Sequence, residues 1–393
     1  MRILYVAARP LEINTSASIR NRATIQGMLQ LGHQVDLITT QPDINHNNYD
    51  NSIDIKQLNT IYIRLEGIQS IAKVTRKYKL LQPIKVFLYK IISKYTIYDN
   101  LKGVANKIYD ININEKKYDF VISSSDPKSS HLLVYKMYEN KILTQIPWIQ
   151  IWGDPFLSDI TRTSKLLNKI IMREENRLLS LASRIIYVSK LTLKEQKLLF
   201  PLQAKKMVSK PIPYLEIKQY QPIDLKKSSL KFLYTGDYFS NVRDITQLYK
   251  ALEGTAHQLI ICGNSDLELK NTDNIKVYPR LNFKEIKNFE YECDVLVHLS
   301  NLNGSQIPGK VYQYCGTNKP ILFLLDGNKK EIFNEFNRYN RFIFADNDKN
   351  SIIETICSIY KGYYDNISYI INEYDPEVVA AQIISLAKER EYA

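Results

Sequence analysis

The first forty residues show the clearest pattern of apolar and polar positions in the chain. RILYVAA (residues 2–8) and VDLITT (residues 35–40) are short apolar runs, typical of strands that are buried on both faces. Between them, Ile19, Ala23 and Met28 recur at helical spacing until Gly32 ends the pattern. A strand, a helix and a second strand in so short a span predict a βαβ unit, and therefore a parallel sheet with helices on its faces.

The same pattern recurs along the rest of the chain. The later apolar segments are YDFVISSS, IPWIQIW, SRIIYVS, LKFLYTG, HQLIICG, DVLVHLS and KPILFLL. Each is short, is followed by a polar or glycine-containing loop, and is separated from the next by a mostly helical stretch. The pattern predicts an α/β protein whose ligands bind outside the carboxyl ends of parallel strands.

A proline-rich stretch divides this series in two. Residues 200–223 hold four prolines, which disfavour both helix and central strand, and a fresh series of strands begins at Leu230. We therefore predict a linker here and a doubly wound domain on either side of it. The predicted domains are residues 1–205, with a last helix over residues 376–393 crossing back to them, and residues 206–375.

Charge changes the picture in one region. The 393 residues include 53 Lys and Arg against 41 Asp and Glu, a formal net charge of +12, which favours polyanionic partners. Residues 73–107 are rich in Lys and Arg, with Asp99 as their only acid, and carry an apolar helical face. This segment predicts contact with an anionic membrane surface; the alternative is a core-facing helix with a solvated basic side. No recognised motif accompanies the charge, so nucleic acid is not a predicted partner.

Several classes of protein are disfavoured. No apolar run approaches the roughly 18–20 residues that cross a bilayer, and the start lacks a signal-peptide core, so we expect a cytoplasmic protein, peripheral on the inner face of the cell membrane. The four cysteines lack metal-ligand spacing and are expected to be reduced thiols. No acidic or histidine cluster stands near a phosphate loop, so we predict no metal cofactor. Nicotinamide, serine-hydrolase and P-loop motifs do not occur.

The loop after DVLVHLS carries the sharpest local signal, SNLNGSQIPGKVYQYCG. Pro308 stands where a helix would begin, because proline is favoured at the first helical position. The N-terminus of such a helix suits an anion. Lys310 in the first turn opposes the helix dipole unless an anion lies beside it. The alternative is an ordinary solvated lysine.

The matching loop after LKFLYTG is DYFSNVRD. Gly236 allows a ligand to approach the strand end closely, and Arg243 stands near the start of the next helix. Arg243 and Lys310 are therefore expected on the same edge of one sheet, where two cations suit a departing diphosphate. The alternative is that Arg243 only pairs with Asp237 or Asp244.

These segments also carry a family resemblance. PGKVYQYCGTNKPIL resembles the P-x-K-x-x-E-Y-x-x-x-x-K-P segment of GT-B glycosyltransferases, specifically glycosyltransferase family 4 and its bacterial polysaccharide-assembly branch. YTGDYFSNVRD resembles the G-x-x-x-x-x-R loop of that branch. MRILYVAARP, GHQVDLITT, DFVISSSDPKSSHLL, PWIQIWGDP and REENRLLSLASRIIYVS are similar to further family segments in the expected order. The resemblance implies a GT-B fold: two Rossmann-like parallel-sheet domains facing a central cleft, the first binding the acceptor and the second a nucleotide sugar.

The resemblance implies roles for residues of the second domain. Arg243 and Lys310 correspond to the catalytic pair that holds the diphosphate, and Gln313 takes the place of the glutamate that holds the ribose. The remaining donor-binding residues are Gly236, Asn303, Gly304, Ser305, Gln306, Ile307 and Pro308. Many relatives have two glutamates in an E-x7-E arrangement where this chain has Ser305 and Gln313, so both carboxylates are missing.

In the first domain four residues are predicted to bind the acceptor. The βαβ pattern places Ser16, in the loop before the first helix, and Arg20, on that helix, toward the cleft, and the resemblance adds His131 and Asp154. His131 matches a histidine in a P-x-x-S-x-H-L element, and Asp154 matches the aspartate of an R-D-P element. The alternatives are that His131 caps or packs locally and that Asp154 only caps a helix.

The implied activity is that of a retaining, metal-independent glycosyltransferase of the hexosyltransferase type. It would move a sugar from a nucleoside diphosphate, with UDP as first choice, to a lipid-linked saccharide acceptor in bacterial surface polysaccharide or glycoconjugate assembly. No residue stands out as a general base. Because both carboxylates are missing, two alternatives stay open: a non-catalytic GT-B partner subunit of a glycosyltransferase complex and, third, a nucleotide-sugar epimerase of the same fold.

Overall fold

The chain divides into two compact units. A computed structural model describes residues 1–53, 55–65, 95–162, 166–221, 224, 227–360 and 369–389. The first unit comprises Met1–Pro211 and Pro376–Ala393, and the second comprises Ile212–Asp375. The first stretch of the first unit thus ends at Pro211 rather than at residue 205.

Strands and helices alternate through both units. The strands are β1 (Arg2–Val6), β2 (Gln34–Thr40), β3 (Asn59–Ile63), β4 (Phe120–Ser124), β5 (Trp148–Trp152), β6 (Arg184–Tyr187), β7 (Met207–Ser209), β8 (Lys231–Thr235), β9 (Gln258–Cys262), β10 (Ile275–Tyr278), β11 (Val295–Leu299), β12 (Ile321–Leu325) and β13 (Phe342–Asp346). The helices are α1 (Ser16–Gln30), α2 (Ser129–Glu139), α3 (Asn168–Ser180), α4 (Lys190–Leu199), α5 (Thr246–Leu252), α6 (Phe283–Glu292), α7 (Lys310–Tyr314), α8 (Lys329–Asn337), α9 (Lys349–Tyr360) and α10 (Pro376–Lys388).

The first unit contains a parallel sheet of seven strands in the order β3-β2-β1-β4-β5-β6-β7. Every residue of β4, β5 and β6 is buried, as expected for a parallel sheet that helices cover on both faces. The strand order reverses between β1 and β4, so ligands of such a sheet bind at the carboxyl ends of these two strands.

Helix α10 packs against α1 and so completes the first unit. Gly27 on α1 makes the close approach: a Cβ atom built there would lie 2.0 Å from the carbonyl oxygen of Pro376. α1 begins at Ser16, earlier than the apolar pattern predicts, because the Thr15 side chain accepts a hydrogen bond from the Ser18 N–H and caps the helix.

The second unit contains a parallel sheet of six strands in the order β10-β9-β8-β11-β12-β13. Its core is apolar and includes Phe232 of β8, Leu259 of β9, Val297 of β11 and Leu322 of β12. The order again reverses between two neighbouring strands, here β8 and β11. The loops after these two strands therefore form the expected ligand edge.

The predicted linker is instead largely ordered structure. Its first part forms a short helical turn over residues 201–206 and then β7, the last strand of the first sheet. Its second part, residues 212–221, is a strap along α7 and the turn that follows it. The N–H of Lys218 donates to the carbonyl of Gly316 (2.9 Å), and the N–H of Tyr220 donates to Asn318 Oδ1 (2.8 Å). The prolines are compatible with this because the N–H groups that the strap donates come from other residues.

The basic segment predicted to meet a membrane lies mostly outside the described residues. Of residues 73–107, those from 73 to 94 are not described, whereas Lys102 and Lys107 lie near a short helical turn over residues 102–106. Within the described ranges, every helix is too short or too polar to cross a bilayer.

Candidate functional site

The ligand edge of the second sheet is built by two loops, residues 236–245 after β8 and residues 300–309 after β11. Gly236 has a φ of +150°, which favours glycine. A Cβ built at Gly263 would lie 2.0 Å from the Gly236 carbonyl oxygen. These two glycines bring the ends of β8 and β9 together, and so fix where the first loop starts.

Arg243 connects the two loops through a chain of hydrogen bonds. Its Nε donates to Asn301 Oδ1 (2.9 Å), and Asn301 Nδ2 donates to the carbonyl of Gln306 (2.8 Å). Arg243 Nη1 donates to the backbone carbonyl of Asp237 (2.8 Å). These hydrogen bonds position the guanidinium at the ends of β8 and β11. Asn301 is their central member, and the sequence analysis did not identify it.

No carboxylate among the described residues pairs with Arg243. The Asp237 carboxylate instead lies 3.4 Å from Arg280, and the Asp244 carboxylate accepts hydrogen bonds from Thr246. The alternative of an Arg243 paired with either acid is therefore wrong. The guanidinium keeps its full positive charge available at the sheet edge.

Lys310 is the second cation of this edge. The helix α7 begins at Lys310 and has five residues, so the predicted start at Pro308 is wrong. Burial lowers the pKa of Lys310, and its Nζ lies 5.6 Å from the ring centre of Tyr314. Glu290 contributes the main attraction but already lies 2.6 Å from Lys218, so Lys310 has no carboxylate of its own in the described part of the chain.

The predicted donor loop is exposed at one end and buried at the other. Asn303 and Gly304 are exposed, whereas Ser305, Gln306 and Ile307 are buried and Pro308 is partly buried. Gly304 adopts a φ of +86°, and its carbonyl accepts a hydrogen bond from Asn328 Nδ2 (2.9 Å). The exposed end is the part of the loop that a ligand can reach.

Gln313 is engaged with the strap. Its Oε1 accepts a hydrogen bond from the Leu215 N–H (2.9 Å), and its Nε2 donates to the Pro213 carbonyl (3.0 Å). Both polar atoms of the amide thus form hydrogen bonds with the backbone of the strap. The sequence could not reveal these bonds because the partners lie about a hundred positions away.

His298 is a buried side chain of β11. Its ring packs edge-on against Phe323, with 4.5 Å between the ring centres. Burial, together with the positive charge of Arg243, lowers the pKa of His298 to about 3. The imidazole is therefore neutral at physiological pH and adds no charge to the edge.

The ligand edge of the first sheet holds Arg20, which is buried (5% exposed). Its Nη2 donates to Ser124 Oγ (3.3 Å) at the end of β4. A Cβ built at Gly153, after β5, would lie 2.2 Å from Nη1. Arg20 thus reaches from α1 across the ends of two strands. Ser16, the first residue of α1, is exposed.

His131 packs into the first unit. It is fully buried, its Nδ1 lies 2.7 Å from Ser123 Oγ, and its ring centre lies 4.1 Å from that of Trp152. Burial lowers the pKa of His131 well below its ordinary value. The local-packing alternative describes this neutral side chain.

Asp154 belongs to a cluster of acids that the sequence reasoning largely missed. Lys128 Nζ lies 2.6 Å from Asp126 Oδ1 and 2.7 Å from Asp159 Oδ2. Burial and the neighbouring Asp126 raise the pKa of Asp154 to about 8. Asp154 therefore carries a proton at neutral pH. The signal was the DPK sequence one strand earlier, whose spatial neighbours only the fold reveals.

Metal ligands do not gather in the described ranges: His, Cys, Asp and Glu side chains there form no group of three suited to an ion. Cys262, Cys293 and Cys315 are buried free thiols, and Cys357 is exposed. Metal-independent chemistry stays a prediction.

No protein-family model and no curated protein sequence matches this chain. Similar solved structures include the catalytic domain of starch synthase IV from Arabidopsis thaliana bound to ADP and acarbose (TM-score 0.64, 8% identity, 98% of each chain). Another is sucrose-phosphate synthase from Thermosynechococcus elongatus (TM-score 0.59, 12% identity, 99% of this chain and 98% of that one).

A third similar structure is a putative UDP-N-acetylglucosamine 2-epimerase from Listeria monocytogenes (TM-score 0.54, 11% identity, 98% of this chain and 95% of that one). At such low identities these likenesses concern the fold alone, and the fold is shared by transferases and an epimerase. With two parallel sheets that each reverse order at one point, the chain has the GT-B fold predicted from its sequence.

Proposed function

We propose that the protein is a retaining, metal-independent glycosyltransferase that uses a nucleoside diphosphate sugar, with UDP as first choice. The carrying observation is a pair of cations, Arg243 and Lys310, at the edge where the second sheet reverses its strand order; among the described residues neither has a carboxylate partner of its own. The ADP in the starch synthase structure supports a nucleoside diphosphate as ligand, and the sequence resemblance to glycosyltransferase family 4 supports the reaction class.

Arg243 and Lys310 act on the departing diphosphate. As the bond between the anomeric carbon and the β-phosphate oxygen breaks, negative charge collects on the phosphate oxygens, and two fixed cations in a partly buried site stabilise that charge. Asn301 keeps the Arg243 guanidinium in place. Because the described residues place no general base at this edge, the acceptor hydroxyl passes its proton to the leaving phosphate oxygen as the new glycosidic bond forms.

The first unit binds the acceptor in this proposal. A saccharide would contact Arg20, Asp154 and the exposed Ser16. His131 is buried against Ser123 and Trp152 and would not contact the saccharide. A lipid-linked acceptor, contact of the basic segment with an anionic membrane and a role in bacterial surface polysaccharide assembly complete the proposal. They rest on the resemblance and on the charge of residues 73–107.

Calorimetric titration with UDP, GDP and dTDP in the presence of EDTA tests the donor site. One nucleotide should bind, and Arg243→Gln and Lys310→Met should each weaken it by about 10-fold or more, because hydrogen bonds to charged groups contribute about 1.5–3 kcal/mol. Lys250→Met, on the exposed side of α5, is the matched control and should leave affinity unchanged. Absence of binding by all three nucleotides contradicts the transferase.

Two other functions can be tested with the same purified protein. The missing carboxylates at Ser305 and Gln313 favour a non-catalytic partner subunit, which would bind nucleotide weakly and turn over no UDP-sugar without its partner. The likeness to the Listeria epimerase favours an epimerase, which would convert a UDP-sugar to its epimer without any acceptor. NMR of UDP-sugars with and without a saccharide acceptor separates the three.

A further inference from the structure

We propose that Arg20 binds an anionic group, a phosphate or a carboxylate, of the ligand that the first unit takes. This deepens the proposed function, because the anionic group would belong to the acceptor. Its test, however, requires neither nucleotide nor transfer.

The charge of Arg20 is not balanced by any acidic side chain in the part of the protein that the structure describes. The side chain is 5% exposed, its one hydrogen bond among the described residues is the 3.3 Å bond to Ser124 Oγ, and its buried Nε has no partner there. Charged groups are rarely buried without a counter-charge, because removing them from water is costly. A negative group of the ligand would supply the missing counter-charge.

The surroundings are shaped to hold the guanidinium and leave it unneutralised. Ser124 donates its proton to Asn21 Oδ1 (2.6 Å), which also accepts from the Tyr5 hydroxyl (3.0 Å), so the Ser124 oxygen is free to accept from Arg20. Any side chain at Gly153 would displace Nη1. These neutral groups orient Arg20 without satisfying its charge.

Nearby carboxylates are committed elsewhere. Asp126 and Asp159 both pair with Lys128. Asp154 directly follows Gly153, yet its pKa is raised rather than lowered, so it does not act as the counter-ion of Arg20. The carboxylates of the described ranges thus leave Arg20 without a counter-ion, and a ligand would supply the negative charge. A guanidinium matches a phosphate or a carboxylate through two parallel hydrogen bonds.

The location agrees with ligand binding. Arg20 lies at the carboxyl ends of β4 and β5, beside the point where the order of the first sheet reverses. Parallel sheets of this type bind ligands at that point. An anionic saccharide, such as a sugar phosphate or the phosphate next to a lipid anchor, carries the required chemistry.

Thermal unfolding of the full chain tests this in chloride and in phosphate or glucose 6-phosphate at equal ionic strength. Each anion should raise the wild-type melting temperature by about 3 °C at ten times its Kd. Arg20→Met should lose the response, and Arg20→Lys should keep part of it. The same shift should persist in the Arg243→Gln/Lys310→Met double variant, which removes both cations of the donor edge.

A structural arginine provides the matched control. Arg341 is fully buried and donates to the carbonyls of Thr317 (2.9 Å) and Tyr369 (2.6 Å). Arg341→Met should therefore lower the melting temperature. Arg20→Met in chloride should melt at or above the wild-type temperature, because it removes an unbalanced buried charge. A decrease like that of Arg341→Met would overturn the proposal.

Vesicle flotation distinguishes the sources of the anion. Binding to phosphatidylglycerol but not phosphatidylcholine vesicles, reduced by Arg20→Met, would assign a lipid headgroup. An Arg20-dependent rise in melting temperature with glucose 6-phosphate, without binding to either kind of vesicle, would assign a soluble sugar phosphate. If no anion gives a rise in melting temperature that depends on Arg20, the proposal is wrong. If the wild-type protein fails to bind UDP but keeps the Arg20-dependent rise, only the proposed donor site is overturned.

Discussion

Replacing Gln313 tests whether this side chain serves the chain or the ligand. Gln313→Ala removes two hydrogen bonds to the strap, one to the Leu215 N–H (2.9 Å) and one to the Pro213 carbonyl (3.0 Å). At a net value of about 1 kcal/mol each, the local stability of the strap should fall by about 2 kcal/mol. Opening of the strap would then become about 30-fold more frequent.

Amide hydrogen exchange measures this directly. The peptide covering residues 212–221 should exchange about 30-fold faster in Gln313→Ala, while peptides of the first unit stay unchanged. Both tryptophans, Trp148 and Trp152, lie in the first unit, so an unchanged tryptophan fluorescence spectrum provides an internal control. Gln313→Glu should show a smaller increase, since a carboxylate still accepts from Leu215 but cannot donate to Pro213.

The nucleotide measurement decides between the two roles. If Gln313 is structural, the Kd for UDP should change by no more than about twofold in Gln313→Ala, since ligand contacts are intact. A loss of tenfold or more in UDP affinity, with exchange of the strap unaltered, would refute the reasoning. It would show that the amide leaves the strap to hold the ribose, as the family glutamate does.

Three further changes have expected outcomes. Burial and Asp126 raise the pKa of Asp154 from 3.8 to about 8, so the folded state holds a proton that the unfolded state releases, and stability should fall as pH rises from about 4 to about 8. Asp154→Asn should flatten this part of the pH–stability curve, and an unchanged curve contradicts the assignment. Lys310→Met should leave the ligand-free protein as stable as wild type or up to about 1 kcal/mol more stable by urea titration, because burial already disfavours the ammonium. Gly27→Ala should destabilise the contact with α10 by about 2–3 kcal/mol and speed proteolytic removal of that helix, whereas Gly103→Ala, whose Cβ would lie in ordinary contact 3.7 Å from Leu65, should not.

The sequence predicts those features that local pattern determines. Short apolar runs predicted the β1–α1–β2 unit and the two parallel-sheet domains, because burial on both faces imposes a continuous apolar run on each strand. The GT-B fold itself was predicted from the family resemblance. Arg243 and Lys310 were found because the loops after parallel strands share one edge. What was missed depends on contacts between distant positions: Asn301 joins Arg243 from 58 positions away, and Asp159 joins Lys128 from 31. The strap was interpreted as a linker because its hydrogen-bond partners lie 98 positions further on.

The packing of α10 against α1 has a consequence for synthesis of the protein. Between Gly27 and Pro376, which meet in the folded first unit, the ribosome must make the whole of the second unit. At about 5–20 residues per second this takes tens of seconds. During that time the second unit can already fold, while the surface of α1 that receives α10 stays uncovered. The uncovered surface of α1 is therefore exposed to chaperones and to aggregation until α10 has been synthesised and packs against it.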